Sequence, residues 1–313
     1  MRVQEPDGAP AVAEPRRFLL VANPSSGTNE DRALIDRAGQ TLNDVETALI
    51  SPTLDLRGAI AAGVAKGRIV VAAGGDGTIN AVAQHLVGTA GVLGVLPAGT
   101  LNHFARDLGV SDPDVAMKVL AEGVPRPVDV GTASGRHFLN NAVVGLYPEA
   151  VRERRRVQHR VGKWPGLALG WAKVLARARP LSGTVTADGD GRSLFAWTVF
   201  VANNRVSTTP GRFGERDRLD EGVLDLHVVL AKRGARGRYS LARRTIRPHP
   251  WGWGRRVRRQ ASSLRVELRK PRPCAVDGEL QDPVRSWPVQ IVPRSLNVLV
   301  PGPGSWTRQG TTE

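Results

Sequence analysis

Cysteine is almost absent: Cys274 is the one such residue among 313. A single thiol excludes an internal disulfide and a multi-cysteine metal site, and in the strand-like stretch around it an inert thiol is expected. Long apolar runs are missing too. No stretch approaches the roughly 20 residues that span a bilayer, and the opening MRVQEPDGAPAVAEP holds acids and prolines without an apolar h-region. Residues 1–14 read as a short disordered tail and the chain as cytosolic. Also lacking are GxxxxGK(S/T), the dinucleotide GxGxxG and the protein-kinase loop set. A nucleotide enzyme without these must hold phosphates with backbone amides, hydroxyls and separate cations.

What is abundant is positive charge. Hydrophobic residues at 41% and charged residues at 23% describe a globular chain, long enough for two domains, but the net charge is +15. Such an excess seeks anions: nucleic acid, a nucleotide or an acidic membrane surface. It is local. Between Val151 and Pro180 there are nine Lys or Arg against Glu153 alone, and between Leu226 and Gln260 there are eleven and no acid. Trp164, Trp171, Trp251 and Trp253 lie among them.

The first part of the chain alternates apolar runs with helical patterns: strands at 18–22, 45–50, 68–73 and 92–96, helices at about 54–65 and 79–86. That rhythm predicts a parallel sheet with helices on both faces, an α/β domain over residues 15–125. From about Arg126 the pieces 127–132, 137–144, 182–187, 195–202, 223–230, 263–268 and 289–300 read as strands joined by turns. They predict an antiparallel β-rich domain over 126–300, followed by a C-terminal tail at 301–313. Three glycine-bearing loops, Asn23–Gly27, Gly74–Thr78 and Pro97–Asn102, follow strands of the first part, where α/β sheets bind ligands. Converging, with helix N-termini behind them, they would make a polyphosphate cradle.

These loops resemble those of a known family. Gly74-Gly75-Asp76-Gly77-Thr78 resembles the GGDGT signature shared by diacylglycerol, sphingosine, ceramide and NAD kinases. Asn23-Pro24 with Gly27 is similar to the N-P-x-(S/A)-G turn of the lipid-kinase branch, and residues 97–106 (PAGTLNHFAR) to its P-x-G-T-x-N-D-F-A-R. Residues 219–226 (LDEGVLDL) resemble its D-D-G-x-L-D loop, and Asp277-Gly278-Glu279 its D-G-E turn. The five motifs follow the family's order across nearly the whole chain. The resemblance is therefore to bacterial diacylglycerol kinases, and more distantly to sphingosine kinases.

It implies an α/β nucleotide domain, a larger β-rich domain, a site in the cleft between them, and a C-terminal stretch that returns to the first domain. The implied reaction moves the γ-phosphate of ATP, with Mg²⁺, to a lipid hydroxyl, diacylglycerol first among acceptors. Phosphates would lie on Gly74, Gly75, Asp76, Gly77, Thr78, Ile79 and Asn80, with Asn23, Gly27, Thr100 and Asn102 contributing; Ser51 and Thr53 are both counterparts for the family's Thr before the second helix. Glu279 is implied as the general base and Asp76 as the residue for metal and acceptor orientation, although sphingosine kinases often give the base role to the aspartate. A structural metal is implied at the loop of Glu221, with carbonyls from Arg218 and Val223. Two departures stand out: Glu221 and His103 occupy positions where the family has Asp.

The basic, tryptophan-bearing segments suit an anionic membrane surface, at about 1 kcal/mol per Lys or Arg, met peripherally from the cytoplasmic side. A lipid substrate, no nucleic acid and a homodimer of the kind common in the family complete the expectation. The rival readings are another lipid kinase, an NAD kinase, an inactive nucleotide-binding regulator and a nucleic-acid-binding protein.

Overall fold

The computed structural model describes residues 15–24, 29–152, 178–209, 212, 214–232 and 256–302. The first part contains β1 (Phe18–Ala22), α1 (Asn29–Thr41), β2 (Val45–Leu49), α2 (Leu56–Ala65), β3 (Ile69–Gly74), α3 (Asp76–Leu86) and β4 (Val92–Pro97). Two further helices follow, α4 (His103–Asp107) and α5 (Pro113–Glu122). β1 and β3 are apolar along their length and buried on both faces, as strands covered by helices must be. β2, β1, β3 and β4 lie side by side in that order, all parallel. The helices start on sequence signals: Asp55 caps α2 by accepting from Gly58 N, and Asp112 caps α5 with Pro113 behind it.

The second part contains β5 (Val124–Ala133), β6 (Arg136–Phe138), β7 (Asn141–Gly145), β8 (Leu181–Ala187) and β9 (Asp190–Asn203). It continues with β10 (Leu224–Leu230), β11 (Arg256–Ala261), β12 (Ser263–Val276) and β13 (Glu279–Val300). These pair antiparallel with one another. One hydrogen-bonded sheet of 13 strands joins both parts, and β13 is the joint. Its first half pairs with β12; past the irregularity between Val292 and Leu296 it lies parallel to β4, with Asn297 opposite Val92.

The two larger hydrophobic cores divide along the same line. One surrounds β1, β3 and β4 and takes in Val128, Val130, Leu296 and Val298; the other holds Ala133, Phe138, Val199, Val266 and Trp287. The chain thus passes from the first core to the second within β5 and returns within β13, through residues 296–300.

Two features depart from the sequence pattern. The run 137–144 breaks into β6 and β7 at Leu139-Asn140, whose amides bond to a carboxylate rather than a neighbouring strand. β11, Arg-rich and alternating, forms an edge strand inside a segment that reads only as a charge run. Among the described residues no helix is long and apolar enough to cross a membrane.

Candidate active site

Three strand ends meet on one edge. Ala22 lies opposite Ala73, and Gly74 opposite Pro97, so Asn23, Gly74-Gly75 and Pro97–Gly99 leave the sheet side by side. The two glycine loops touch backbone to backbone: a Cβ on Gly99 would stand 2.5 Å from Gly75 Cα. Only glycine permits that approach. Behind them α3 begins at Asp76 with Gly75 as its N-cap, and among the described residues no side chain bonds its first amides. Those N–H groups and the helix dipole remain for an anion. Thr78 is buried beneath Gly74, and Gly77 is exposed.

The second loop is closed by Asn102, a left-handed residue at φ 47° whose Nδ2 donates to Gly99 O at 2.7 Å. Its Oδ1 is buried without a protein partner. Thr100 is exposed beside it. Asp76 ties the loops together: Oδ2 accepts the His103 N–H and Oδ1 the Phe104 N–H, each at 3.1 Å. Residue 103 therefore enters through its backbone, while its ring contacts Arg106 at 3.1 Å.

The side chains of two expected phosphate residues are engaged elsewhere. Ile79 is fully buried in the first core and offers only its backbone. The Asn80 amide turns away from the glycine loops, donating to Asp277 at 2.6 Å and to His137 O at 3.3 Å. Ser51 and Thr53 are exposed after β2, with their hydroxyls 3.1 Å apart. Asn23 is half-buried at the end of β1. Gly27 lies outside the described residues, as do residues 1–14, 153–177, 233–255 and 303–313, with Trp164, Trp171, Trp251 and Trp253.

Asp277 adds a side-chain link between the second part and α3. Its carboxylate accepts the N–H groups of Leu139, Asn140 and Asn141 at 2.8, 2.9 and 2.8 Å, besides the Asn80 amide. Burial pushes its carboxyl above the ordinary range, and the three backbone donors pull the other way. This anchoring sets Glu279, two residues on, at the start of β13. Glu279 is exposed and paired with Arg136, whose guanidinium donates to Oε2 at 3.1 Å. Both carboxylates named from the sequence are thus mounted on α3: Asp76 directly, Glu279 through Asp277 and Asn80.

The loop around Glu221 tells differently. Its carboxylate accepts the Arg205 N–H at 3.1 Å and lies 3.6 Å from the Arg205 guanidinium. The Val223 carbonyl accepts the Asn204 N–H at 2.9 Å, and Arg218 pairs its side chain with Asp220. Beside the loop is a cavity of about 410 Å³ lined by Arg205, Arg212, Arg218 and Arg258 among others. A hard cation wants several free oxygens; the Glu221 carboxylate and the Val223 carbonyl already accept hydrogen bonds and guanidinium groups lie beside the loop, which weighs against a structural metal at Glu221, Arg218 and Val223. Among the described residues no three His, Cys, Asp or Glu gather as for a metal ion.

Asp277, Asn140 and Arg216 are absent from the sequence-based site. Their trace is the polar pair Asn140-Asn141 inside an otherwise apolar run, and the aspartate that opens the D-G-E turn. Cys274 is buried, which pushes its thiol up to about 11.

Comparison with known proteins agrees with this layout. Residues 17–133 match the diacylglycerol kinase catalytic domain. A probable YegS-like lipid kinase of Pseudomonas aeruginosa (strain UCBPP-PA14) is 32% identical over 220 residues, 68% of this chain and 71% of that protein. A diacylglycerol kinase of Bacillus subtilis is 31% identical over 169 residues, 51% of this chain and 54% of the relative. With that protein and two other curated relatives the match spans about half of the relative's length, 54%, 54% and 56%. The crystal structure of a putative diacylglycerol kinase from Bacillus anthracis str. Sterne superposes with a TM-score of 0.66 at 22% identity, covering 92% of this chain and 98% of that one; it shares the fold. The coverage of the Pseudomonas protein at this identity decides the matter: the chain belongs to the diacylglycerol kinase family of lipid kinases.

Proposed function

We propose that the protein transfers the γ-phosphate of ATP to the hydroxyl of a lipid, with diacylglycerol as the favoured acceptor and phosphatidic acid as product. One observation carries the reading. Two glycine loops pack backbone to backbone at the uncapped N-terminus of α3, and the D-G-E carboxylate is tied to that same helix through Asp277 and Asn80. A polyphosphate seats on the first feature, and an acceptor hydroxyl meets the second. The site then lies in the cleft where the parallel and antiparallel parts meet.

Backbone amides of Gly75–Thr78 receive phosphate oxygens, and Asn23, Gly27, Thr100 and Asn102 border them. The partnerless Oδ1 of Asn102 is an acceptor and fits a hydroxyl or amino group of the nucleotide or its cation. Asp76 would hold Mg²⁺, which would neutralise the charge that builds on the transferred group. Glu279 takes the proton of the acceptor hydroxyl as its oxygen attacks the γ-phosphorus, and the bond from that phosphorus to the bridging oxygen breaks to release ADP. Arg136 holds the carboxylate of Glu279 in place. Asp76 keeps the two glycine loops in register and orients what binds there.

Diacylglycerol comes from the name of the Bacillus subtilis relative, and the same arrangement serves any lipid with an accessible hydroxyl. The basic segments of the sequence support a peripheral position on an anionic membrane surface at the cytoplasmic face. Transfer of labelled γ-phosphate from ATP and Mg²⁺ to a lipid panel in mixed micelles tests the reading. The expected result is labelled lipid from wild type, lost in Asp76→Ala and Glu279→Ala. ATP binding with no labelled lipid from any acceptor would sink it.

A further inference from the structure

Arg216 sits in the connection between β9 and β10, outside the motifs shared with the family, yet only 4% of it is exposed. Its Nε donates to Asp107 Oδ2 at 2.7 Å, an ion pair in which both side chains are 2% exposed. One terminal nitrogen donates to the carbonyls of Leu139 and Asn203. The other donates to Asn140 Oδ1 at 2.7 Å. On the far side of that amide, Asn140 Nδ2 approaches Asp76 Oδ1 at 3.5 Å.

The chemistry fixes the direction of this chain. A guanidinium only donates and a carboxylate only accepts, so the group between them must offer an oxygen to one and N–H to the other. Asn140 does so in one orientation. Arg216, itself locked by a buried acid, therefore aims the Asn140 amide at the carboxylate that joins the two glycine loops. At 3.5 Å this contact is at the long end for a hydrogen bond.

We propose that Arg216 and Asn140 are positioning residues for the phosphoryl-transfer site, acting through Asp76. This rests on the kinase reading. The relay runs from the end of α4 through the β9–β10 connection and the β6–β7 break to the start of α3. It makes the connection on the acceptor side part of the phosphate site.

Lipid phosphorylation by Asn140→Leu, Asn140→Asp, Arg216→Lys and the double variant Asn140→Leu/Arg216→Lys tests the proposal. Asn140→Asp keeps the volume but sets a carboxylate against Asp76. Expected is a kcat loss of about 100-fold in each single variant, with KM for ATP changed by less than about 3-fold. The double variant should be no slower than the slower single one, because both changes cut one link. Wild-type kcat in Asn140→Leu, or losses that multiply in the double variant, overturns the proposal. Arg216→Lys can unfold the chain, so Asn140→Leu carries the decision. A wild type that labels no lipid ends the kinase reading, and amide exchange over residues 100–107 then decides. Faster exchange in Asn140→Leu, with β3 still protected, supports the relay; unchanged exchange overturns it.

Discussion

The carboxylate of Asp76, first residue of α3, caps α4 by accepting the N–H groups of His103 and Phe104, each at 3.1 Å. One glycine loop thus supplies the cap for the helix that follows the other, and two functions of Asp76 become separable. The geometry of the cap needs an oxygen acceptor, whereas the reaction needs a negative charge near the phosphates. Asp76→Asn keeps one acceptor oxygen and should stay within about 1 kcal/mol of wild type in stability, while Asp76→Ala loses about 1 kcal/mol more. Both should lower phosphoryl transfer by about 100-fold or more. Thermal melting beside the lipid assay reads the split. Full transfer by Asp76→Asn would show that the site does not use this charge.

The same cap explains why histidine is tolerated at position 103. The backbone N–H of His103 enters the site, and its exposed ring meets only Arg106 among the contacts described. His103→Asp should therefore leave stability within about 0.5 kcal/mol, as for an ordinary surface change, and transfer within about 3-fold. A gain of tenfold or more in turnover would mean that the side chain at 103 belongs to the reaction after all.

Much of this was legible in residue order, and the limits have physical causes. β1, β3 and β4 show as short apolar runs because both faces of a parallel strand are covered. The glycine loops show because only glycine allows the contact of Gly75 with Gly99. Glu279 shows through the D-G-E turn. Pairing across large separations leaves no such mark. Nothing local to Arg216 says that its guanidinium will be buried against Asp107, 109 residues away. The break at Leu139-Asn140 is set by Asp277, 137 residues from Asn140. Asn80 reads as a phosphate residue by its place after GGDGT, but a buried amide goes where a carboxylate can receive it.

Asp277 should matter more for architecture than its neighbour Glu279. Replacing it with Ala leaves the Leu139, Asn140 and Asn141 amides without their acceptor and the Asn80 amide with His137 O alone. Each unsatisfied buried donor costs about 1 kcal/mol or more, so Asp277→Ala should lose about 3 kcal/mol or more. Glu279→Ala, removing an exposed carboxylate paired among the described residues with Arg136, should lose less than about 1 kcal/mol yet abolish transfer. Urea unfolding of both variants separates them. Equal stability in the two would mean that the β12–β13 turn is not fastened to the first part through Asp277.

Asp225 gives the pH dependence. It is fully buried, and its carboxylate accepts two hydrogen bonds from Arg258, at 2.8 and 2.6 Å, and one from Val206 N–H. Burial alone would raise the carboxyl; the hydrogen bonds from His227 and Arg258 outweigh it and hold the group at about 2, below the ordinary 3.8. A depressed carboxyl stabilises the fold above its unfolded value, and the contribution is lost as pH falls through the folded one. The window is therefore from about pH 4 down to about pH 2. Wild type should exceed Asp225→Asn in unfolding free energy by roughly 2 kcal/mol at neutral pH. That gap should close steadily across the window. Arg258 is partly exposed and can rehydrate when its partner is neutral, so the variant should still fold. Urea midpoints at intervals from pH 7 to pH 2 measure the gap. A difference that stays constant to pH 2 would show that Asp225 carries no charge-dependent stabilisation, and that Arg258 is held in place by packing alone.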